Sequence, residues 1–362
     1  MFYRPYKQNT PRTIHNNSHD VNYARCFIVP PHIYEHIVKH GDDEARRRAL
    51  YSLTISERFR GRREVVGLMP SMFVAGQLRR TIFDTHNAEM LPGDIVRTEG
   101  QGASPGPDVT EAYDYSGNTY KFYKEVYNRN SVDDRGMRLD STVHYGQQYD
   151  NAFWNGTQMV YGDGDGVVFQ RFTIALDVIG HELTHGVTQH TAALDYQDQP
   201  GALNESISDC FGSMVKQYTL GQTAEKADWL IGAKLFTPDV KGVALRSMRA
   251  PGTAYDDPKI GKDPQPATMD DYVETSSDNG GVHINSGIPN HAFCIIATDL
   301  GGNSWERAGM VWYSVLTRMA QHDTNFSDFA NMTIQEAGSI YGQGSLEQKA
   351  FQNGWSQVKV ID

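Results

Sequence analysis

Two histidines four residues apart, followed by a Glu-x-x-x-Asp pair, are the part of this sequence best equipped for chemistry. They lie in Asp177-Val178-Ile179-Gly180-His181-Glu182-Leu183-Thr184-His185 and Asn204-Glu205-Ser206-Ile207-Ser208-Asp209. On a helix, His181 and His185 stack one turn apart on one face. Both imidazoles then reach one zinc ion at a bond length of about 2 Å. Glu182 falls at the edge of that face, beside the metal, where it suits a base for a water on the metal. A catalytic zinc needs a third protein ligand and one open position. Glu205 is the best candidate for the ligand. Asp209, one helical turn beyond, can accept a hydrogen bond from a zinc-binding imidazole and fix its tautomer. Two partly buried histidines on a helix would look the same on their own; the acidic pair at a suitable distance favours the metal.

The elements that must hold these groups can be read around them. Leu176, Ile179, Leu183 and Val187 spread widely round the stretch from about Ile174 to Thr191, so this helix should be buried and central. From Ala202 onward the chain turns more helical, with helices over 207–218, 289–300, 303–319 and 328–337. Upstream, 141–145 and 159–161 read as strands, and 109–128 as a helix. Gly162-Asp163-Gly164-Asp165-Gly166 is a tight turn whose alternating carboxylates suggest an ion loop, but an EF-hand's closing glutamate is absent. Residues 1–24 form a polar arm, and Cys26–Ile33 an apolar run kept extended by Pro30 and Pro31. Two helices follow over 32–40 and 42–60, split by Gly41, and then a basic linker, Gly61-Arg62-Arg63-Glu64.

Composition narrows the function classes. The 362 residues exceed one hydrophobic core, so two or three folding units are expected. A net charge of −11 without a basic patch argues against nucleic acid as a partner. No apolar run is long enough to span a membrane. The polar N-terminus lacks the core of a secretory signal, so export would need a non-classical route, the alternative being a cytoplasmic protein. Cys26, Cys210 and Cys294 are far apart and odd in number, which fits free buried thiols.

Several segments together resemble the thermolysin family of zinc metalloendopeptidases. They are Asp150-Asn151-Ala152-Phe153-Trp154, the Tyr161–Gly166 turn, the His181–His185 motif, Gly201-Ala202-Leu203-Asn204-Glu205, Arg246-Ser247-Met248 and Gly281-Val282-His283-Ile284-Asn285-Ser286-Gly287. The similarity covers roughly residues 80–362 and is nearest to the protealysin-like branch. That branch carries a short pro-segment with a Pro-Pro-Leu motif. Here Pro30-Pro31-His32 departs at the third position, while the next residue, Ile33, is apolar.

The resemblance implies an α+β, two-lobed fold: a β-rich N-terminal lobe and a helical C-terminal lobe, with the zinc-binding helix at the cleft floor. It implies a pro-segment over 1–60, its end between 48 and 80, then lobes over 61–195 and 196–362. By position, His181, His185 and Glu205 match the zinc ligands and Glu182 the catalytic base. Tyr196 and His283 match the oxyanion-stabilising groups. Asp209 matches the carboxylate that orients a ligand, and Asp278 the partner of the catalytic histidine. Asn151 and Ala152 match the edge that holds substrate backbone, Asn204 a holder of the substrate amide, and Arg246 the binder of a substrate carbonyl. Phe169, Phe172, Val178, Ile231, Leu235 and Leu245 match the apolar pocket for the residue after the cut.

The implied protein is a neutral endopeptidase cutting before bulky apolar residues, a monomer made as a zymogen. Pro30 and Pro31 would be the rigid contact that holds its own pro-segment in the cleft. One zinc is expected. The family's double calcium site is not, because Lys216, Leu230 and Ala233 stand where acidic ligands would be and Val243 replaces another ligand; a single calcium is left open. Lys216 could instead pair with Asp177 or Asp228. An inactive homologue used as a binding module would have lost a ligand or the base, and none is lost. A zinc aminopeptidase would carry a Gly-x-Met-x-Asn type signature, which is missing.

Overall fold

A computed structural model of the protein describes residues 26–60, 77–104 and 106–362; the polar arm and the basic linker lie outside them. The chain opens with a two-residue strand, β1 (Cys26–Phe27), and two helices, α1 (Pro31–His40) and α2 (Asp43–Arg60). Pro31 starts α1 where its missing N–H costs nothing. Ile33, Tyr34 and Ile37 turn one buried face of α1 toward the rest of the molecule. Asp42 caps α2 through the amides of Glu44 and Ala45.

A six-stranded sheet follows, with β2 (Arg80–Asp84), β3 (Asp94–Thr98), β4 (Leu139–Val143), β5 (Ala152–Trp154) and β6 (Met159–Tyr161). Its order is β1-β5-β6-β4-β2-β3. β4 runs parallel to β2 and β6, and the other neighbours are antiparallel. One edge of the sheet is therefore supplied by residues from before the linker. Cys26 pairs with Trp154 and Phe27 with Phe153.

Helix α3 (Pro107–Tyr127) packs beside the sheet and touches α4 (Leu176–Gln189), where the Tyr123 hydroxyl lies 2.8 Å from Thr184 Oγ1. Every residue of α4 from Asp177 to Thr188 is buried, as its all-round apolar character predicts. α5 (Asp198–Leu220) lies against it, and α6 (Asp278–Asn285), α7 (Gly287–Leu300), α8 (Ala308–Arg318), α9 (Phe326–Tyr341) and α10 (Leu346–Gln357) complete the helical half.

Three of these elements differ from the sequence expectation. α5 begins nine residues earlier than position 207, because Asn204, Glu205, Ser206, Ser208 and Asp209 are buried toward a polar centre and break the apolar period. α6 is a tight turn at Asp278–Gly281 leading into one helical turn, and α10 lies beyond the last helix expected.

Candidate active site

The two central helices meet at a pair of glycines. A β-carbon on Gly180 would lie 3.1 Å from the Gly212 α-carbon, and one on Gly212 would lie 2.4 Å from the Asp177 carbonyl oxygen. Only a residue without a side chain permits that approach. It brings Glu205 of α5 against His181 and His185 of α4. The two imidazole Nε2 atoms are 2.9 Å apart, and Glu205 lies 3.5 Å from His181 Nε2 and 3.4 Å from His185 Nε2.

These residues fit a zinc ion. Four ligands at about 2 Å in a tetrahedron stand about 3.3 Å apart, close to the three separations found. His181 donates from Nδ1 to Asp209 at 2.7 Å, and His185 from Nδ1 to Asn204 Oδ1 at 2.9 Å. Each Nε2 is thus left with a lone pair facing the other, an arrangement that calls for a cation between them. Burial holds the His185 imidazole down at about 3, so it stays neutral and able to ligate. Glu205 Oε2 is buried and lacks a hydrogen-bond partner among the described residues. Burial opposes the Glu205 charge, yet His283, His185 and His181 hold its carboxyl below the ordinary value.

Glu182 sits at the side of this group. Oε2 accepts the Trp154 amide at 3.0 Å, while Oε1 is buried and unpartnered among the described residues. Burial, and then the Glu205 charge, push its carboxyl well above the ordinary range. Such a group takes up a proton readily and has one oxygen free to do so.

A second set of residues fixes the ligands. Asp209 is gripped by Arg246 through two hydrogen bonds of 2.8 Å and by Asn290 at 2.8 Å. The Asn204 side chain, expected to hold a substrate amide, accepts from His185 Nδ1 and donates to the Leu194 carbonyl. Ser208, 3.0 Å from His185 Nδ1, and Asn290 were not anticipated; their buried polar positions on apolar helices were the available signal.

His283 is aimed by a turn in which Asp278, Asn279, Gly280 and Gly281 all have positive φ. Asp and Asn tolerate that region better than other side chains. Asp278 accepts both the His283 amide at 2.9 Å and its Nδ1 at 2.6 Å. Burial works against the imidazolium, but Asp278 and Glu205 outweigh it and raise the His283 pKa. Nε2 donates at 2.7 Å to the carbonyl oxygen of Phe27. The Tyr196 hydroxyl lies 3.3 Å from the same nitrogen and donates to Glu205.

The N-terminal run thus lies in the site itself. Ile28 donates its amide to the Ala152 carbonyl at 3.1 Å, Arg246 donates to the Ile28 carbonyl at 3.0 Å, and Val29 donates to Asn151 Oδ1 at 3.0 Å. Pro30 and Pro31 are buried next to this run, and Pro30 is the N-cap residue of α1. Phe169, Phe172, Val178, Ile231, Leu235 and Leu245 are all buried and belong to one apolar core with Ile28.

Two acidic features have other partners. Lys216 Nζ lies 2.8 Å from Asp177, 2.9 Å from Asp228 and 2.7 Å from the Leu230 carbonyl. In the Gly162–Gly166 turn, Asp165 accepts the amides of Val167, Val168 and Phe169 and pairs with Arg48 at 3.3 Å.

Comparison with known proteins gives a consistent picture. Residues 76–189 match the model for the thermolysin metallopeptidase catalytic domain, and 192–360 that for its alpha-helical domain. An extracellular metalloprotease of Pectobacterium carotovorum is 51% identical over 342 residues, covering 92% of this chain and 96% of that protein. Thermolysin of Alicyclobacillus acidocaldarius is 38% identical over 291 residues, 77% of this chain and 50% of that protein. Among solved structures, the precursor of protealysin, a metalloproteinase from Serratia proteamaculans, aligns with a TM-score of 0.86 at 49% identity, covering 93% of this chain and all of that one.

Proposed function

Because the chain belongs to the thermolysin family of metallopeptidases, hydrolases of peptide bonds made as zymogens, we propose that Glu182 is its catalytic base and that it cuts before bulky apolar residues. This rests on one arrangement: three converging ligands, a carboxylate beside them with a free oxygen, and a backbone carbonyl held there by His283.

His181, His185 and Glu205 would hold the zinc ion, which would supply Lewis acidity for the scissile carbonyl and for the attacking water. Glu182 takes the water's proton and returns it to the leaving nitrogen. His283 donates to the carbonyl oxygen as charge grows there, with Asp278 keeping it protonated. Tyr196, whose hydroxyl is 3.3 Å from His283 Nε2, would assist at the same oxygen. Arg246 binds the next carbonyl, and Asn151 and Ala152 pair with the substrate backbone as they pair with Val29 and Ile28. The apolar side chains from Phe169 to Leu245 receive the residue after the cut, where a charged side chain would be stranded without water.

The N-terminal segment, 1–60, is the inhibitor of the zymogen, and the family matches starting at residue 76 support a boundary between 48 and 80. The lobes run 61–195 and 196–362. The ammonium of Lys216 between Asp177 and Asp228 favours a protein without the double calcium site. The extracellular name of the Pectobacterium relative favours export. No described helix is long and apolar enough to cross a membrane. We expect a monomer.

Replacing Glu182 by Gln tests the core of this. The variant should retain one zinc by metal analysis and lose at least about a thousandfold in hydrolysis of a blocked peptide, measured after removal of the N-terminal segment, an order expected for losing an acid–base group. Unchanged turnover would refute the assignment.

A further inference from the structure

The run from Phe27 to Val29 is fixed on both sides of one particular peptide bond. On its acyl side, Phe27 and Cys26 pair with Phe153 and Trp154 of β5, and the Phe27 carbonyl oxygen accepts from His283 Nε2 at 2.7 Å. That nitrogen is itself 3.6 Å from Glu205 Oε2, so the imidazole that holds this carbonyl also borders the candidate metal ligands. On the amino side, Ile28 is tied through its amide to Ala152 and through its carbonyl to Arg246, and Val29 is tied to Asn151. The side chain of Ile28, which leads the amino side, is fully buried in the apolar core that also holds Phe169, Phe172 and Leu245. A peptide that merely obstructed the cleft would need none of this registration.

We propose that Phe27–Ile28 is a self-processing site, the bond that the active site hydrolyses within its own chain. The proposal rests on the reading of the cleft as a peptidase centre and adds its first substrate. The site lies well before the 48–80 region in which the segment is to be detached, so it is a separate event. The oxygen of water bonds to the Phe27 carbonyl carbon while Glu182 accepts one of its protons. The bond from that carbon to the Ile28 nitrogen breaks, and the proton passes to the nitrogen. The products are a carboxylic acid at Phe27 and an amine at Ile28, which ionise at neutral pH; nothing is oxidised or reduced.

The contacts on the amino side outlast the cut. That product remains anchored by Arg246 and Asn151, by the buried Pro30–Pro31 turn, and by the Tyr34 hydroxyl donating to the Asp150 carbonyl. The new amine of Ile28 stays in the cleft with helices α1 and α2 behind it. Cleavage therefore releases residues 1–27 and leaves 28–60 bound, and the chain stays inhibited until the later cut.

The test uses the full chain loaded with zinc. Intact mass measurement over time should show fragments 1–27 and 28–362, formed at a first-order rate that does not change across a tenfold dilution. The Glu182→Gln chain should stay whole. Ile28→Asp should slow this cut about 100-fold or more, since it places a charge in an apolar site. A readout independent of turnover is hydrogen exchange on the Glu182→Gln chain, in which the Ile28 and Val29 amides should be protected, and exposed again when Ile28→Asp is added. The proposal is overturned if Phe27–Ile28 stays intact while the same protein, freed of its segment by trypsin, hydrolyses a blocked peptide; the peptidase assignment then stands. It is also overturned if Glu182→Gln is cut at this bond, or if those two amides exchange freely. Loss of both self-cleavage and peptide hydrolysis in the zinc-loaded wild type would bring down the two readings together.

Discussion

His32 follows Pro30-Pro31 in the docked segment, and the structure makes its docking sensitive to acid. Nε2 is 2.7 Å from the Tyr255 hydroxyl, while Nδ1 is buried without a partner among the described residues. Burial holds the imidazole down at about 4 from an ordinary 6.5; Asp278 works the other way, and His283 and Arg246 reinforce the burial. When the segment leaves the cleft, His32 returns to water and to its ordinary value. The released form therefore binds more protons than the docked form below pH 6.5, and acid favours release until the docked imidazole itself protonates near 4. From those two values, moving from pH 7.5 to pH 5 weakens docking by about 2 kcal/mol, or about 30-fold. The assay is hydrogen exchange on the Glu182→Gln chain, reading the protection of Ile28 and Val29 at both pH values after correction for intrinsic rates. His32→Leu should remove most of the pH effect, because it takes away the buried imidazole and leaves the other interface groups as they are. An equal acid response in His32→Leu, or none in the parent, would refute the argument.

Other outcomes depend on single contacts. Asp209→Asn weakens the hold on His181 and unpairs Arg246, so zinc affinity by competitive chelation should fall about 10- to 100-fold. Lys216→Met leaves the buried Asp177 carboxylate unpaired and should cost about 3 kcal/mol in denaturant unfolding. If the Lys216 ammonium takes the place of the double calcium site, chelating calcium while sparing zinc should leave the melting temperature within about 2 °C. Phe172→Val should shift the cleavage-site profile toward larger residues after the cut; an unchanged profile would place Phe172 outside the pocket.

The histidine helix was legible because its information is local: spacing alone puts His181 and His185 on one face, and apolar residues all round predict burial. Glu205 and Asp209 came next, through a second period of four. The bond from Asn204 to His185 was not legible, because its neighbours do not say which way a buried amide turns, and the packing of α4 on α5 sets it. α10 was missed although Ser345 and Gln348 form a capping pair at its start, with the Ser345 hydroxyl accepting the Gln348 amide. The role of Phe27–Val29 had no local signal. An extended apolar run names no partner, and its pairing with Phe153 and Trp154 spans more than a hundred residues.

The edge that β1 covers has a consequence for the mature protein. Once the segment departs, β5 presents unpaired backbone groups at the rim of a sheet, the kind of surface that recruits stray chains into aggregates. Most proteins blunt such a rim with charge or proline. Here it faces the hydrolytic centre, so an extended chain that adheres in the register of Phe27 and Ile28 brings one of its own bonds to Glu182. On the role proposed for Glu182, the stickiness that would be a hazard elsewhere becomes self-cleaning, and the rim needs its sheath only until that blade is wanted.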